Sequence, residues 1–178
     1  MTSPTAANTS LTSRTAQLRA RAHSFCQAFL EGRSPSETLS THFVRGSPKI
    51  TEHGPAIEQL PFLGRTFVGR SSGGSPESVG NSCDDYFTLL SETLRFHPHE
   101  HTFPSQPGGY IVDAGSDNGN GTVNVVGTAR FESIKTGKSW EETFIYRLSG
   151  FDDDGLIGHW EIWADPLSAW LAVEGKAA

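Results

Sequence analysis

Cysteine is scarce in this chain of 178 residues, which holds two thiols, Cys26 and Cys83. A pair of cysteines cannot supply the disulfide framework that staples small secreted folds. Both sit in apolar-periodic stretches and read as buried thiols of a reducing, cytoplasmic setting. Long hydrophobic runs are absent as well. No stretch approaches the roughly 18 apolar residues a membrane helix needs, and the N-terminus lacks the apolar core of a secretory signal. Basic residues are few, with 14 Lys and Arg against 20 Asp and Glu and a net charge of −6. That balance argues against a nucleic-acid partner, which calls for a basic stripe facing phosphates. The acidity is concentrated in residues 90–178, which carry 13 acidic and 6 basic side chains. No acid precedes Glu31, whereas Arg14, Arg19 and Arg21 do. This is weakly like a mitochondrial presequence in composition, but reads more simply as a basic first helix.

What is present suffices for one folded domain. Hydrophobic residues make up 35% of the chain, 18 of its residues are aromatic, and a chain of this length buries roughly 70% of its unfolded surface. Residues 1–12 are small and polar and read as a disordered tail. Leu18, Ala22, Phe25, Cys26, Phe29 and Leu30 then follow helical spacing up to a stop at Gly32. Ser34-Pro35-Ser36-Glu37 has the form of a capping box and starts a short second helix. Residues 49–53 form a short strand, and 71–82 have the composition of a mobile surface loop. A third helix opens at Ser82 and carries Tyr86, Phe87, Leu90 and Leu94 on one face. Beyond Leu94 the apolar period drops from about 3.6 to 2. Strands are expected at 95–103, 109–114, 121–134, 139–149 and 156–164, separated by Gly-, Asn- and Asp-rich turns. Asp165-Pro166 caps a last helix over 167–173. Helices followed by a meander of antiparallel strands define an α+β fold.

Three groups of residues carry candidate chemistry. Alternation places Thr122, Asn124, Val126, Thr128, Arg130 and Glu132 on one face of the long strand. On the last strand Ile157, His159, Glu161 and Trp163 share a face, opposite the apolar set Leu156, Trp160, Ile162 and Ala164. Aromatic company disfavours a charged carboxylate, so Glu161 is expected to titrate high enough to serve as an acid or base. His97, His99 and His101 alternate in a way that suits a metal, but the other ligands of such a site are missing. No metal site is assigned, and the histidines read as a solvent face or pocket wall. Nucleophile elbows, phosphate loops, dinucleotide fingerprints and Cys-x-x-Cys pairs are all absent.

The element order, the segment Cys83-Asp84-Asp85-Tyr86-Phe87-Thr88-Leu89-Leu90 and the ending GHWEIWADPLSAW together resemble the NTF2-like superfamily. The likeness is to its SnoaL-like branch, and particularly to members from fungal natural-product pathways. It covers residues 13–173, leaving 174–178 as a tail. The resemblance implies a cone in which a curved antiparallel sheet carries the N-terminal helices on its concave face. It also implies an apolar cavity, no cofactor, and a homodimer formed through the sheet. Arg130-Phe131-Glu132, Gly158-His159-Trp160-Glu161 and the turn Thr136-Gly137-Lys138-Ser139-Trp140 are similar to limonene-epoxide hydrolase-like members. Those carry Asp where Glu132 and Glu161 stand, and a Tyr-x-Asn where this chain has Thr51-Glu52-His53. On that pattern Glu132 and Glu161 are the acid and base, Arg130 orients them, and His53 positions the nucleophile. Thr51, Tyr86, Phe87, Trp140, Phe144, Tyr146, His159 and Trp163 become the substrate-binding walls.

The function so implied is acid–base chemistry on a small apolar polyketide- or terpenoid-like intermediate, with epoxide opening as the specific form. Isomerisation, cyclisation or dehydration in the same pocket is the enzymatic alternative. A non-catalytic small-molecule-binding dimer is the alternative of another class.

Overall fold

A computed structural model describes residues 4–71 and 80–176 of the chain. Most of the expected surface loop, and both extreme ends, lie outside the described residues. Three helices, α1 (Pro4–Leu30), α2 (Pro35–His42) and α3 (Cys83–Thr93), occur in the first half with strands β1 (Lys49–His53) and β2 (Arg65–Val68). Strands β3 (Leu94–His97), β4 (Ile111–Asp113), β5 (Thr122–Ser133), β6 (Ser139–Ser149) and β7 (His159–Trp163) follow, and α4 (Pro166–Val173) ends the fold.

Capping chemistry places the short helices where the sequence predicts them. Ser34 Oγ accepts from the Glu37 amide while the Glu37 carboxylate accepts from the Ser34 amide, and Ser82 and Asp85 repeat the arrangement at α3. Asp165 Oδ1 accepts from the amides of Leu167 (2.9 Å) and Ser168 (3.3 Å) to start α4. The first helix differs from expectation by beginning at Pro4 instead of Ser13. Its small polar residues include no breaker after that proline, so nothing halts the helix there. The arginines of α1 bind the fold: Arg14 donates to the Asp152 carbonyl at 2.9 Å and Arg21 to the Gly155 carbonyl at 3.0 Å.

The strands form one sheet in the order β2-β1-β7-β6-β5-β3, with β4 also paired to β5. Every pairing is antiparallel except that of β1 with β7. The expectation of a purely antiparallel sheet is corrected there. β1 arrives from the helical half and enters beside the last strand pointing the same way, in register Thr51↔Glu161 and Glu52↔Ile162. β2, unrecognised in the sequence, extends the sheet beyond β1. β3 ends at His97, so the three alternating histidines do not share a strand. His97 reaches Glu132 at 3.1 Å, and the His101 amide donates to His99 Nδ1 in the turn beyond.

The helices cover one face of this sheet. Phe25 of α1 meets Trp160 of β7 with ring centroids 5.1 Å apart and Phe43 at 5.5 Å. The concave face of β6 presents Trp140, Glu142, Phe144, Tyr146 and Leu148, all buried. Both cysteines, Cys26 in α1 and Cys83 at the start of α3, are buried in the core, and burial pushes the Cys83 thiol up to about 12.

Candidate active site

Between the concave sheet face and the helices lies a narrow cavity of about 70 Å³. Its walls are rings and aliphatic chains, among them Phe62, Phe96, Phe131, Phe144 and Trp160. The polar groups in this lining are few: the carboxyls of Glu52, Glu142 and Asp165, the hydroxyls of Tyr86 and Tyr146, and the indole nitrogens of Trp140 and Trp160.

Glu52 is the unusual one. Alternation on β1 puts it beside Ile50 on the concave face, and it is only 7% exposed. The Tyr86 hydroxyl, from the first turn of α3, donates to its Oε2 at 2.8 Å. No described residue hydrogen-bonds to its other oxygen, Oε1. Burial raises the Glu52 carboxyl to about 7; the Tyr86 hydrogen bond works against that rise and the Glu142 charge adds to it. A carboxyl poised there exchanges a proton readily near neutral pH. In sheet register Glu52 lies level with Ile162 and, one strand further, with Tyr146. Burial, then the charges of Cys26 and Glu52, keep the Tyr146 phenol well above its ordinary value, so it stays a hydrogen-bond donor.

Glu142 is tied down. Trp140 Nε1 donates to its Oε2 at 2.6 Å, and the Asp165 amide donates to its Oε1. It therefore fastens the Trp140 ring and the start of α4 to the cavity rim. Burial raises its carboxyl as well, partly offset by these two donors.

No protein-family model matches the chain, and no curated protein matches it. Solved structures do. An NTF2-like protein from Burkholderia xenovorans LB400 superposes with a TM-score of 0.58 at 15% identity, over 89% of this chain and 96% of that one. BvnE pinacolase from Penicillium brevicompactum does so with a TM-score of 0.57 at 17% identity, over 90% and 94%. A candidate SnoaL-like polyketide cyclase from Jannaschia sp. CCS1 follows at 0.52 and 7% identity, over 89% and 92%. The chain has the NTF2-like fold.

Within this NTF2-like cone the sequence-predicted residues divide by sheet face. Tyr86, Trp140, Phe144 and Tyr146 line the cavity. Phe87, half-buried, borders a shallower groove beside α2 and α3. Thr51, His53, Arg130, Glu132, His159, Glu161 and Trp163 have the opposite parity and sit on the outer face. There Glu132 pairs with Arg95 at 2.9 Å and His97 at 3.1 Å, with Arg130 at 3.6 Å. Glu161 pairs with Arg147 and with His53 at 3.1 Å, and the His53 ring stacks on Trp163 at 4.0 Å. Thr51 bonds to His159 at 2.8 Å.

These positions correct the expected two-acid site. Glu161 is level with Arg147 and, across β6, with Asn124, eight residues from Glu132 along β5. At about 3.3 Å per residue, that is roughly 26 Å of strand. The two carboxyls cannot share a substrate atom or a proton. Nor does Glu161 titrate high: partial burial pushes it up, but Arg147 and His53 outweigh that and hold it below the ordinary carboxylate value.

Glu52 and Glu142 were not singled out in the sequence, although a signal exists. Each is the lone carboxylate in an otherwise apolar alternating set, Ile50-x-Glu52 and Trp140-x-Glu142-x-Phe144-x-Tyr146.

Proposed function

We propose that the protein is an isomerase- or cyclase-type enzyme in which Glu52 moves a proton on an apolar substrate held in the aromatic cavity. One observation carries this reading: a carboxyl raised to about 7 lies in an apolar cavity with one oxygen to which no described residue hydrogen-bonds. In its base form Glu52 takes a proton from an acidified C–H or O–H through Oε1. The Tyr86 hydrogen bond to Oε2 steadies the carboxylate. The Tyr146 hydroxyl donates to the oxygen on which charge develops, and Glu52 returns the proton at the new position. The chemistry asks only for the chain's own side chains. The fold shared with a pinacolase and a candidate polyketide cyclase supports this class. Epoxide opening by Glu132, Arg130 and Glu161 loses its footing because those carboxyls lie far apart on the outer face.

The test uses 2-tetralone, an apolar ketone with acidic α-hydrogens, and follows its hydrogen–deuterium exchange by NMR. Wild-type protein accelerates exchange above buffer, and Glu52→Gln loses at least about 100-fold of that acceleration while folding at least as stably as wild type. Equal exchange by wild type and variant overturns the role of Glu52. Binding without any exchange makes the cavity that of a carrier.

A further inference from the structure

We propose that Trp160 is a second hydrogen-bond donor to the substrate, which presents a ketone-type carbonyl whose oxygen accepts from Trp160 Nε1–H and the Tyr146 hydroxyl together. The proposal rests on the reading of Glu52 as the proton carrier and adds the functional group that the cavity takes.

Trp160 is 2% exposed, and its Nε1 is fully buried with no hydrogen-bond partner among the described residues. His42 Nδ1 and the Tyr110 hydroxyl share that condition, but of the three side chains only Trp160 lines the cavity. An indole N–H can donate and cannot accept, and a buried donor left unmade is costly. The fold around it offers no acceptor. In the sheet Trp160 is flanked by Ile50 of β1 and Leu148 of β6. Phe25, Phe29 and Phe87 pack against its ring from the helices. None of these side chains carries a lone pair. Its other ring neighbours, Tyr86 at 5.8 Å and Tyr146 at 4.9 Å, are both cavity residues. The missing acceptor has to come from the cavity side.

Register sets this donor beside the other two reacting groups. Glu52, Ile162 and Tyr146 form one cross-strand row, and Ile50, Trp160 and Leu148 form the next row on the same face. Trp160 is thus a diagonal neighbour of Tyr146, a spacing of roughly 7–8 Å that aromatic side chains bridge. No described residue hydrogen-bonds to the Tyr146 hydroxyl, which keeps its proton. Two unmade donors near an unmade carboxylate oxygen fit a carbonyl with an α-C–H. Its oxygen has a lone pair for each donor, and its α-proton is the one that Glu52 can take. Glu52 Oε1 accepts that proton, the C–H electron pair forms a C=C bond, and the carbonyl π pair moves onto oxygen. The two donors meet the charge where it develops. Return of the proton to a conjugated carbon shifts the double bond and leaves the carboxylate as it began. A hydrocarbon would leave both donors unmade, and an anionic guest would meet Glu52, Glu142 and Asp165 in a lining without Lys, Arg or His.

Two small guests that suit a narrow cavity differ only in the acceptor: cyclopentanone and methylenecyclopentane, which has CH₂ in place of the oxygen. Neither carries a ring current of its own. In proton–nitrogen NMR spectra of ¹⁵N-labelled wild type, the Trp160 indole signal is identified by elimination with Trp140→Phe, Trp163→Phe and Trp170→Phe. Saturating cyclopentanone is expected to move the Trp160 indole proton downfield, methylenecyclopentane is not, and the signals of Trp163 and Trp170, outside the cavity, stay in place. Trp160→Phe removes the N–H. Its hydrogen–deuterium exchange of cyclopentanone at saturation is expected to fall on the order of 100-fold, with the midpoint of the pH profile, set by Glu52, unmoved. If Trp160→Phe does not fold, the wild-type spectra decide alone. An indole proton that stays put with the ketone, an equal shift with both guests, failure of the ketone to bind, or wild-type exchange in Trp160→Phe overturns the proposal. Exchange that depends on Glu52 without an indole shift leaves the proton-transfer reading standing and removes Trp160 from it. An indole shift without exchange keeps the carbonyl site and removes Glu52 as the base.

Discussion

Glu52 pulls the folded state toward its protonated form, and that has a measurable consequence for stability. In the unfolded chain its carboxyl titrates near 4.5, and in the folded chain at about 7. Between those values the folded state holds the extra proton, so stability falls as pH rises from about 5 to about 8. A shift of this size corresponds to a loss on the order of 3 kcal/mol. Glu142, raised by burial, adds in the same direction. Glu52→Gln removes the larger share of this dependence. Urea denaturation is therefore expected to find the variant close to wild type at pH 5 and more stable than wild type at pH 8. A wild-type stability that climbs over that interval would contradict the assignment. Tyr86 tunes the same group from the other side. Its hydroxyl favours the charged form, so Tyr86→Phe is expected to move the pH profile of ketone exchange to higher pH without abolishing exchange. An unmoved profile would mean that the bond to Oε2 does not set the titration.

At the scale of elements, the packing of β5 against β6 shapes the cavity floor. Gly127 of β5 pairs with Phe144 of β6, and a Cβ built on that glycine would lie 2.4 Å from the Phe144 ring. The missing side chain lets the Phe144 ring lie over the strand, against Phe103 and Tyr146. Gly127→Ala is expected to cost about 1–3 kcal/mol in a urea titration, and Phe144→Leu in the same chain to recover part of it. Additive losses would show that the two positions do not compete for space. These strands also show how far the sequence could be read. Period-two alternation and turn chemistry gave the limits of β4 to β7 to within three residues but ran β3 on to 103, six residues past its end at His97, and the two faces of β5 and β7 were separated correctly. Which face lines the cavity is not a property of one strand. His159, Glu161 and Trp163 make chemically richer company than Trp160 and Ile162, yet the helices cover the apolar set. The cavity is carved within the apolar face, and its acids come from β1, β6 and the cap of α4. β2, at four residues, carried too little alternation to be recognised, and the parallel entry of β1 beside β7 is a long-range pairing with no local signature.

For the whole molecule, the outer sheet face poses the remaining physical question. Register lines up Val126, Ile145, Trp163 and His53 across β5, β6, β7 and β1. The first three are 50%, 43% and 38% exposed, and His53 stacks on the Trp163 ring. An apolar row of this kind on the uncovered side of a sheet suits burial against another surface. Its flanks favour a second copy of the chain. Arg147 and Glu161 sit side by side next to the row, so a twofold axis can bring each charge near its opposite, as an interface between like surfaces requires. The outer residues that the epoxide-hydrolase pattern marked as catalytic would then be those of a dimer contact. Light scattering at micromolar concentration is expected to give twice the chain mass of 19.3 kDa. Trp163→Glu places a carboxylate in the middle of the row and halves that mass, while Glu52→Gln, on the other face, leaves it unchanged. A wild-type monomer, or a Trp163→Glu dimer as stable as wild type, would remove this face from the assembly. Ketone exchange that persists in the Trp163→Glu monomer would show that the cavity on the concave side is complete within one chain.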